Sequence, residues 1–153
     1  TLATYANVTS LEGWALVKAA NSAAEPVFVV NYMQVRAGLS VDSAVAKFTI
    51  NGFGGVTAER ALSADAWQLI TFRYNGTNVQ IGVNEAPGAA GGASTVAYST
   101  NISDLTEAVI VGSNDSGASG VQVMELAFSD VAISDANFGN IKTYINTRYS
   151  LSL

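Results

Sequence analysis

Apolar and polar residues alternate along most of this chain with a period of two, in short stretches separated by turn residues. Ala44–Ile50 shows it most cleanly. Ala44, Ala46, Phe48 and Ile50 fall on one face and Val45, Lys47 and Thr49 on the other. Trp14–Ala19 reads as an earlier strand. Val27–Val35 reads as a nearly continuous apolar, β-branched strand, buried on both faces. Trp67–Tyr74 and Asn78–Val83 form the arms of a hairpin around Asn75-Gly76, a pair whose members both tolerate positive φ. Thr95–Ser99, Ala108–Gly112 and Val121–Phe128 complete the predicted strands. Pro87–Ala93 and Ser113–Gly120 are turn-rich connections.

The period changes at the end of the chain. Phe138, Ile141, Tyr144, Ile145 and Tyr149 follow helical spacing and predict a helix over Asp135–Tyr149. Ser134 is placed to cap it, and Asp135 puts negative charge at the positive end of the helix dipole. Many short strands and no parallel βαβ alternation predict an all-β antiparallel two-sheet sandwich, one domain over residues 1–153, with the helix packed on it as a lid.

Composition narrows the chemistry. The chain has no Cys and no His, so a disulfide framework, a thiol nucleophile, an imidazole base and an ordinary zinc site are all excluded. Lys and Arg number 7 against 12 Asp and Glu, a net charge of -5 that speaks against nucleic acid as a partner. The longest apolar runs, such as Pro26–Val30, fall far short of a membrane helix, so no membrane partner is expected. No basic stretch followed by an apolar one opens the chain, so no signal peptide is expected.

Only 12% of residues are charged, where about 25% is usual. Such a neutral polar surface suits a protein that packs against copies of itself or within a large assembly. It also suits an extracellular domain of drifted composition. Val45 and the two-sided apolar Val27–Val30 segment read as contact surface under the first view.

The motifs of the second half carry a resemblance. Trp67-Gln-Leu-Ile-Thr-Phe-Arg-Tyr74-Asn75-Gly76, Val79–Asn84, Val109–Gly112, Val123–Phe128, Ala132–Asp135 and Tyr144-Ile145-x-x-x-Tyr149 occur in this order. In order and spacing they resemble concanavalin A-like lectin/glucanase domains of the laminin-G-like (LamG) branch. The resemblance spans residues 67–149; residues 1–60 match only as generic strands. It implies a jelly roll of two curved sheets. It also implies structural roles for Trp67 at a strand start under the sandwich edge, and for Tyr74, Gly76, Glu125 and Ser134. Members bind glycans, bind proteins or serve as structural modules in secreted proteins and phage virions, and the fold does not choose among these roles.

Catalytic members of that superfamily place paired carboxylates about 5–5.5 Å apart on one strand, as Glu-x-Asp-x-x-Glu. This chain lacks that motif: Glu125 shares its strand face with Val121, Val123 and Ala127, and Asp130 lies on the opposite parity. Glu125 is either a ligand or general acid, or a structural acid that accepts hydrogen bonds from the loop entering the helix; the resemblance implies the structural role, and no catalytic residue is expected. No cofactor is expected either. Calcium is the ion the resemblance implies, and Asn101, Asp104, Asn114 and Asp115 are the loop oxygen donors that would hold it; turn chemistry is the other explanation for them. For glycans the candidate platform is Tyr32, Gln34 and Arg36 on one strand face, with Phe53 and Tyr98 in or near loops. Alternatively, Tyr32 and Tyr98 are core or subunit-contact rings. Arg73 is either a solvated strand residue or a partner for an acid on a neighbouring subunit.

The leading expectation is a non-catalytic structural or interaction module on the surface of a large assembly. The favoured setting is a phage virion, as a capsid decoration, fibre or tail-associated protein, with other virion proteins and copies of itself as partners. The alternative is a carbohydrate-binding module of a secreted or surface adhesin. A glycoside hydrolase or lyase is third. The expected location is a virion surface or extracellular.

Overall fold

The computed structural model describes residues 9–20, 24–30, 37–51, 55–100, 102, 109–111, 120–129 and 131–153. Its strands are β1 (Leu11–Ala19), β2 (Ala24–Val30), β3 (Ala37–Asp42), β4 (Val45–Ile50), β5 (Val56–Ala61), β6 (Trp67–Tyr74), β7 (Asn78–Val83), β8 (Thr95–Ala97), β9 (Val109–Val111) and β10 (Val121–Ser129). A helix, α1 (Asp135–Tyr149), follows them. Among the described residues the strands form two antiparallel sheets, ordered β10-β1-β6-β7-β8 and β5-β4-β3-β2-β9. This is the two-sheet sandwich with a C-terminal helix that the strand pattern predicted, and the jelly roll that the resemblance implied.

The facing surfaces of the sheets bury the main core. Alternation along β1 sends Leu11, Ala15, Val17 and Ala19 inward, against Phe28, Leu39, Phe48 and Ile50 of the other sheet. An aromatic run bridges the sheets. The Phe72 ring centroid lies 5.2 Å from that of Phe28 and 4.8 Å from that of Phe48, and Phe28 stacks on Phe128 at 5.6 Å. Gly13 faces this run, and a Cβ there would meet the Phe72 ring and the backbone at Ala127 and Phe128. The alternation read in Ala44–Ile50 holds from Val45, with Ala46, Phe48 and Ile50 buried.

A second apolar cluster lies on the opposite face of β1 and β6. Trp14, Leu16 and Leu69 pack there with Trp67 and Ala127 beneath Ile141, Ile145 and Tyr149 of α1, and Leu151 and Leu153 continue the cover. Trp67 thus packs under the helix rather than under the sandwich edge. Ser134 caps α1 as expected, its Oγ accepting the Asn137 N–H at 3.3 Å.

Two strands escape the hydrophobic pattern. β3 (Ala-Gly-Leu-Ser-Val-Asp) holds too few large apolar residues, and β5 (Val-Thr-Ala-Glu-Arg-Ala) lies at a sheet edge with one fully buried side chain, Ala58. The β3–β4 turn has no glycine: Ser43 and Ala44 both take positive φ, 51° and 59°, so Ala44 belongs to the turn. At the β6–β7 turn only Gly76 has positive φ, 84°. Asn75 contributes through its side chain instead. Its Oδ1 accepts from the N–H groups of Thr77 and Asn78 at 3.1 and 2.8 Å.

The contact surface expected at Val27–Val30 is absent, because all four residues are buried within the chain itself. Val45 is half-buried on a polar face. Lys47 pairs with Asp42 there at 2.8 Å, and Thr49 bonds Thr57 at 2.9 Å.

Candidate functional site

Among the described residues, two places gather polar and aromatic side chains. The first is a rim of the second sheet where Val30, Ala37, Ile50 and Val56 pair in a row, with Val109 beside Val30. Asn51 leaves this row with φ 49° and donates from Nδ2 to the Tyr98 hydroxyl at 2.6 Å. The Asn51 Oδ1 atom is buried without a partner. Tyr98 lies 6.1 Å from the buried Tyr74 ring, and the Tyr74 hydroxyl donates to the Thr100 carbonyl at 2.8 Å. Tyr98 is therefore a half-buried packing ring with an occupied hydroxyl, which is its core alternative rather than an open sugar platform. The other glycan candidates, Tyr32, Gln34, Arg36 and Phe53, lie outside the described residues, as do the calcium candidates Asn101, Asp104, Asn114 and Asp115. Asn84 is a turn residue: φ is 58°, and Oδ1 accepts the Leu69 N–H at 2.9 Å.

Burial, and then the neighbouring Tyr98, hold the Tyr74 phenol above its ordinary pKa of 10.0. A folded value above the unfolded one means the neutral ring stabilises fully below pH 10 and loses that contribution as pH rises through the folded value. Tyr74→Phe removes the bond to Thr100, so stability at pH 7 falls by about 1 kcal/mol. The same change flattens the decline above pH 10, which urea unfolding at the two pH values reads directly.

The second place is where β10 meets α1. A register shift in the β1–β10 ladder pairs Leu16 with Glu125 and Val17 with Val123, leaving Met124 as the extra residue of a bulge. The bulge reverses the parity of the strand. Glu125 and Ala127 face the helix, whereas Val121, Val123 and Leu126 pack on the main core. The expected common face for Glu125, Val121 and Val123 assumed a regular strand and does not form. Glu125 accepts the Tyr149 hydroxyl at 2.7 Å and the Tyr144 hydroxyl at 3.3 Å, with Arg148 Nε 3.8 Å away. It thus holds the end of the helix, not the loop that enters it. Arg148 also donates to the Tyr149 hydroxyl at 3.1 Å. Its guanidinium lies 5.8 and 5.4 Å from the Tyr144 and Tyr149 ring centroids.

The loop entering the helix is held by Glu12, which sequence reasoning missed because it sits among apolar residues of β1. Glu12 Oε2 accepts the Ile133 N–H at 2.9 Å and pairs with Arg73 Nε at 3.1 Å. Arg73 also reaches Asp135 at 2.8 Å through Nη1 and the Ile133 carbonyl at 2.6 Å through Nη2, and it covers the Phe138 ring at 5.4 Å. Arg73 is neither solvated nor left for a neighbouring subunit: Glu12 is 2% and Arg73 14% exposed. Elsewhere Arg60 pairs with Glu85 at 3.0 Å. Each of Glu12, Asp42, Glu85, Glu125 and Asp135 thus has a cation of this chain beside it.

Among the described residues no group of three or more His, Cys, Asp or Glu is gathered to hold a metal ion. No helix among them is long and apolar enough to cross a membrane.

No protein-family model matches the sequence, and no match is found among curated proteins. Solved structures do match. The receptor-binding domain of a botulinum neurotoxin C/D mosaic serotype aligns at TM-score 0.69 and 5% identity over 90% of this chain and 36% of that one. A structure of botulinum neurotoxin type C, described by its interaction with two ganglioside molecules, gives TM-score 0.59 and 11% identity over 89% of this chain and 35% of that one. Domains LG4-5 of the mouse laminin alpha1 chain give TM-score 0.59 and 16% identity over 85% of this chain and 39% of that one. The chain spans little more than a third of the length of these structures. The chain has the concanavalin A-like jelly-roll fold that these laminin and neurotoxin domains share.

Proposed function

We propose that this chain is a non-catalytic binding module whose ligand is a glycan displayed on a surface, and that it works outside the cell. The observation that carries the reading is the use of the acids whose side chains are described: five of the seven, Glu12, Asp42, Glu85, Glu125 and Asp135, are each engaged by a cation of the chain. Hydrolysis of a glycosidic bond ordinarily uses a pair of carboxyl groups, one to donate a proton and the other to attack carbon or activate water. The fold neighbours support the same class, since one is described as a receptor-binding domain and another by its interaction with gangliosides. Tyr32, Gln34, Arg36 and Phe53 are proposed as further sugar contacts.

A glycan array probed with the chain, alongside a reducing-end assay on the bound glycans, tests this. Reproducible binding without turnover is the expected result. Turnover overturns the non-catalytic reading, and a blank array overturns the glycan.

A second reading, a structural module in an assembly such as a virion surface, is favoured by one feature. Val111 of β9 and Phe128 of β10, both next to Phe28, are exposed at 56% and 42% on terminal strands of the two described sheets. Large exposed apolar residues at a sheet edge are an ordinary means of packing against other chains. Sedimentation showing only a monomer at high concentration counts against this reading.

A further inference from the structure

The cluster at the end of α1 contains more than an anchor requires. The short bond from Tyr149 to Glu125 is enough to hold the helix to β10. Tyr144 adds only a long bond, 3.3 Å, and is 44% exposed as a residue. The Arg148 side chain is 56% exposed, and its Nη1 and Nη2 have no partner among the described residues. Three kinds of group therefore meet at one surface: an exposed tyrosine with the guanidinium to one side of its ring, a part-exposed carboxylate with acceptor capacity, and a guanidinium edge with spare donors.

We infer that Tyr144, Arg148 and Glu125 form a binding site for an uncharged pyranose. The ring stacks on the C–H face of the sugar, while the carboxylate accepts from and the guanidinium donates to adjacent hydroxyls. The inference rests on the glycan-binding reading and names its site.

The charges of Glu125 and Arg148 cancel, and the chain as a whole carries -5, so a polyanionic or sulfated glycan finds no net attraction here. The surroundings also separate sugar from protein. Protein hot spots sit within a ring of contacts that excludes water. Here Asn140, Thr143 and Thr147, the helix residues four before, one before and three after Tyr144, are exposed and polar, so the helix supplies no apolar ring around it. The site was not legible as a motif. Tyr144 and Arg148 sit four apart on a helix, but Glu125 joins them only because the Met124 bulge turns it to that face.

The test uses the intact chain with multivalent neutral glucosides, galactosides and mannosides, and with sialylated and sulfated conjugates as controls. Tyr144→Ala is expected to weaken binding of the preferred neutral sugar about tenfold, the scale of one lost stacking contact. Tyr144→Phe keeps the ring and stays within about threefold of the original affinity, while Arg148→Ala loses an intermediate amount. Thermal unfolding of Tyr144→Ala close to that of the parent keeps the loss from being read as misfolding. Parental affinity in Tyr144→Ala, or an equal loss in Tyr144→Phe, overturns the site. So does a preference for the charged conjugates. If binding survives Tyr144→Ala but is abolished by Tyr32→Ala, the site is wrong and the glycan-binding reading stands. If the unaltered chain binds none of these sugars, both fall.

Discussion

Replacing Arg73 with Ala is expected to destabilise the chain by about 3 kcal/mol, the scale on which a buried ion pair fails when one partner is removed. The loss has a named source. Glu12 is 2% exposed and would be left with the Ile133 N–H as its remaining partner. The Ile133 carbonyl and Asp135 would lose their partner too, and Phe138 its cover. For a chain of this size the melting temperature should drop by about 6–12 °C. The double replacement Glu12→Met with Arg73→Met removes both charges and leaves the Ile133 N–H and carbonyl without these partners but no buried charge unpaired, so it should cost less, about 2 kcal/mol. Denaturant unfolding of the two variants decides the matter. A double variant less stable than Arg73→Ala would show that the ion pair is not what holds the helix entry.

Phe72→Ala is expected to cost about 3–5 kcal/mol, the range for deleting a fully enclosed aromatic side chain. Phe72 is fully buried and lies between Phe28 and Phe48, so its loss leaves a cavity at the contact between the sheets. Phe72→Leu keeps most of the volume and should cost about 1–2 kcal/mol. Gly13→Ala attacks the same place from the opposite direction, by overfilling it. Shortening Phe72 should not rescue it, because two of the three atoms that its Cβ would meet are backbone. Urea midpoints for the three variants give the order directly. A Phe72→Ala loss below about 1 kcal/mol would place the centre of the core elsewhere.

The strands legible in the sequence were those in which burial and alternation coincide. β4 and β7 each bury one regular face and β6 buries apolar residues on both, so the apolar positions alone mark them. β3 and β5 were illegible because their inward residues include small ones, Ala37 and Ala58, that carry little hydrophobic signal. Helix α1 and its Ser134 cap were legible because both are local: the spacing and the capping residue lie within one stretch of chain.

The sites behaved differently. Glu125 was singled out from the strand, but its partners Tyr144, Arg148 and Tyr149 lie 19 to 24 residues on. Its direction depends on a bulge that exists only in the pairing with β1. Arg73 looked unusual, yet Glu12 lies 121 residues from the Ile133 N–H that it holds, a distance no local pattern spans.

The sequence by itself determined the class of the fold, an antiparallel sandwich closed by a helix, because period and turn chemistry are written locally. It also set the chemical limits, since a chain without Cys or His has neither thiol nor imidazole. Only the tertiary structure decided what the charged and aromatic residues do. A carboxylate has the same character on paper whether it meets a guanidinium, a tyrosine or water. Folding makes that choice, by bringing Glu12 to Arg73 and Glu125 to the end of the helix.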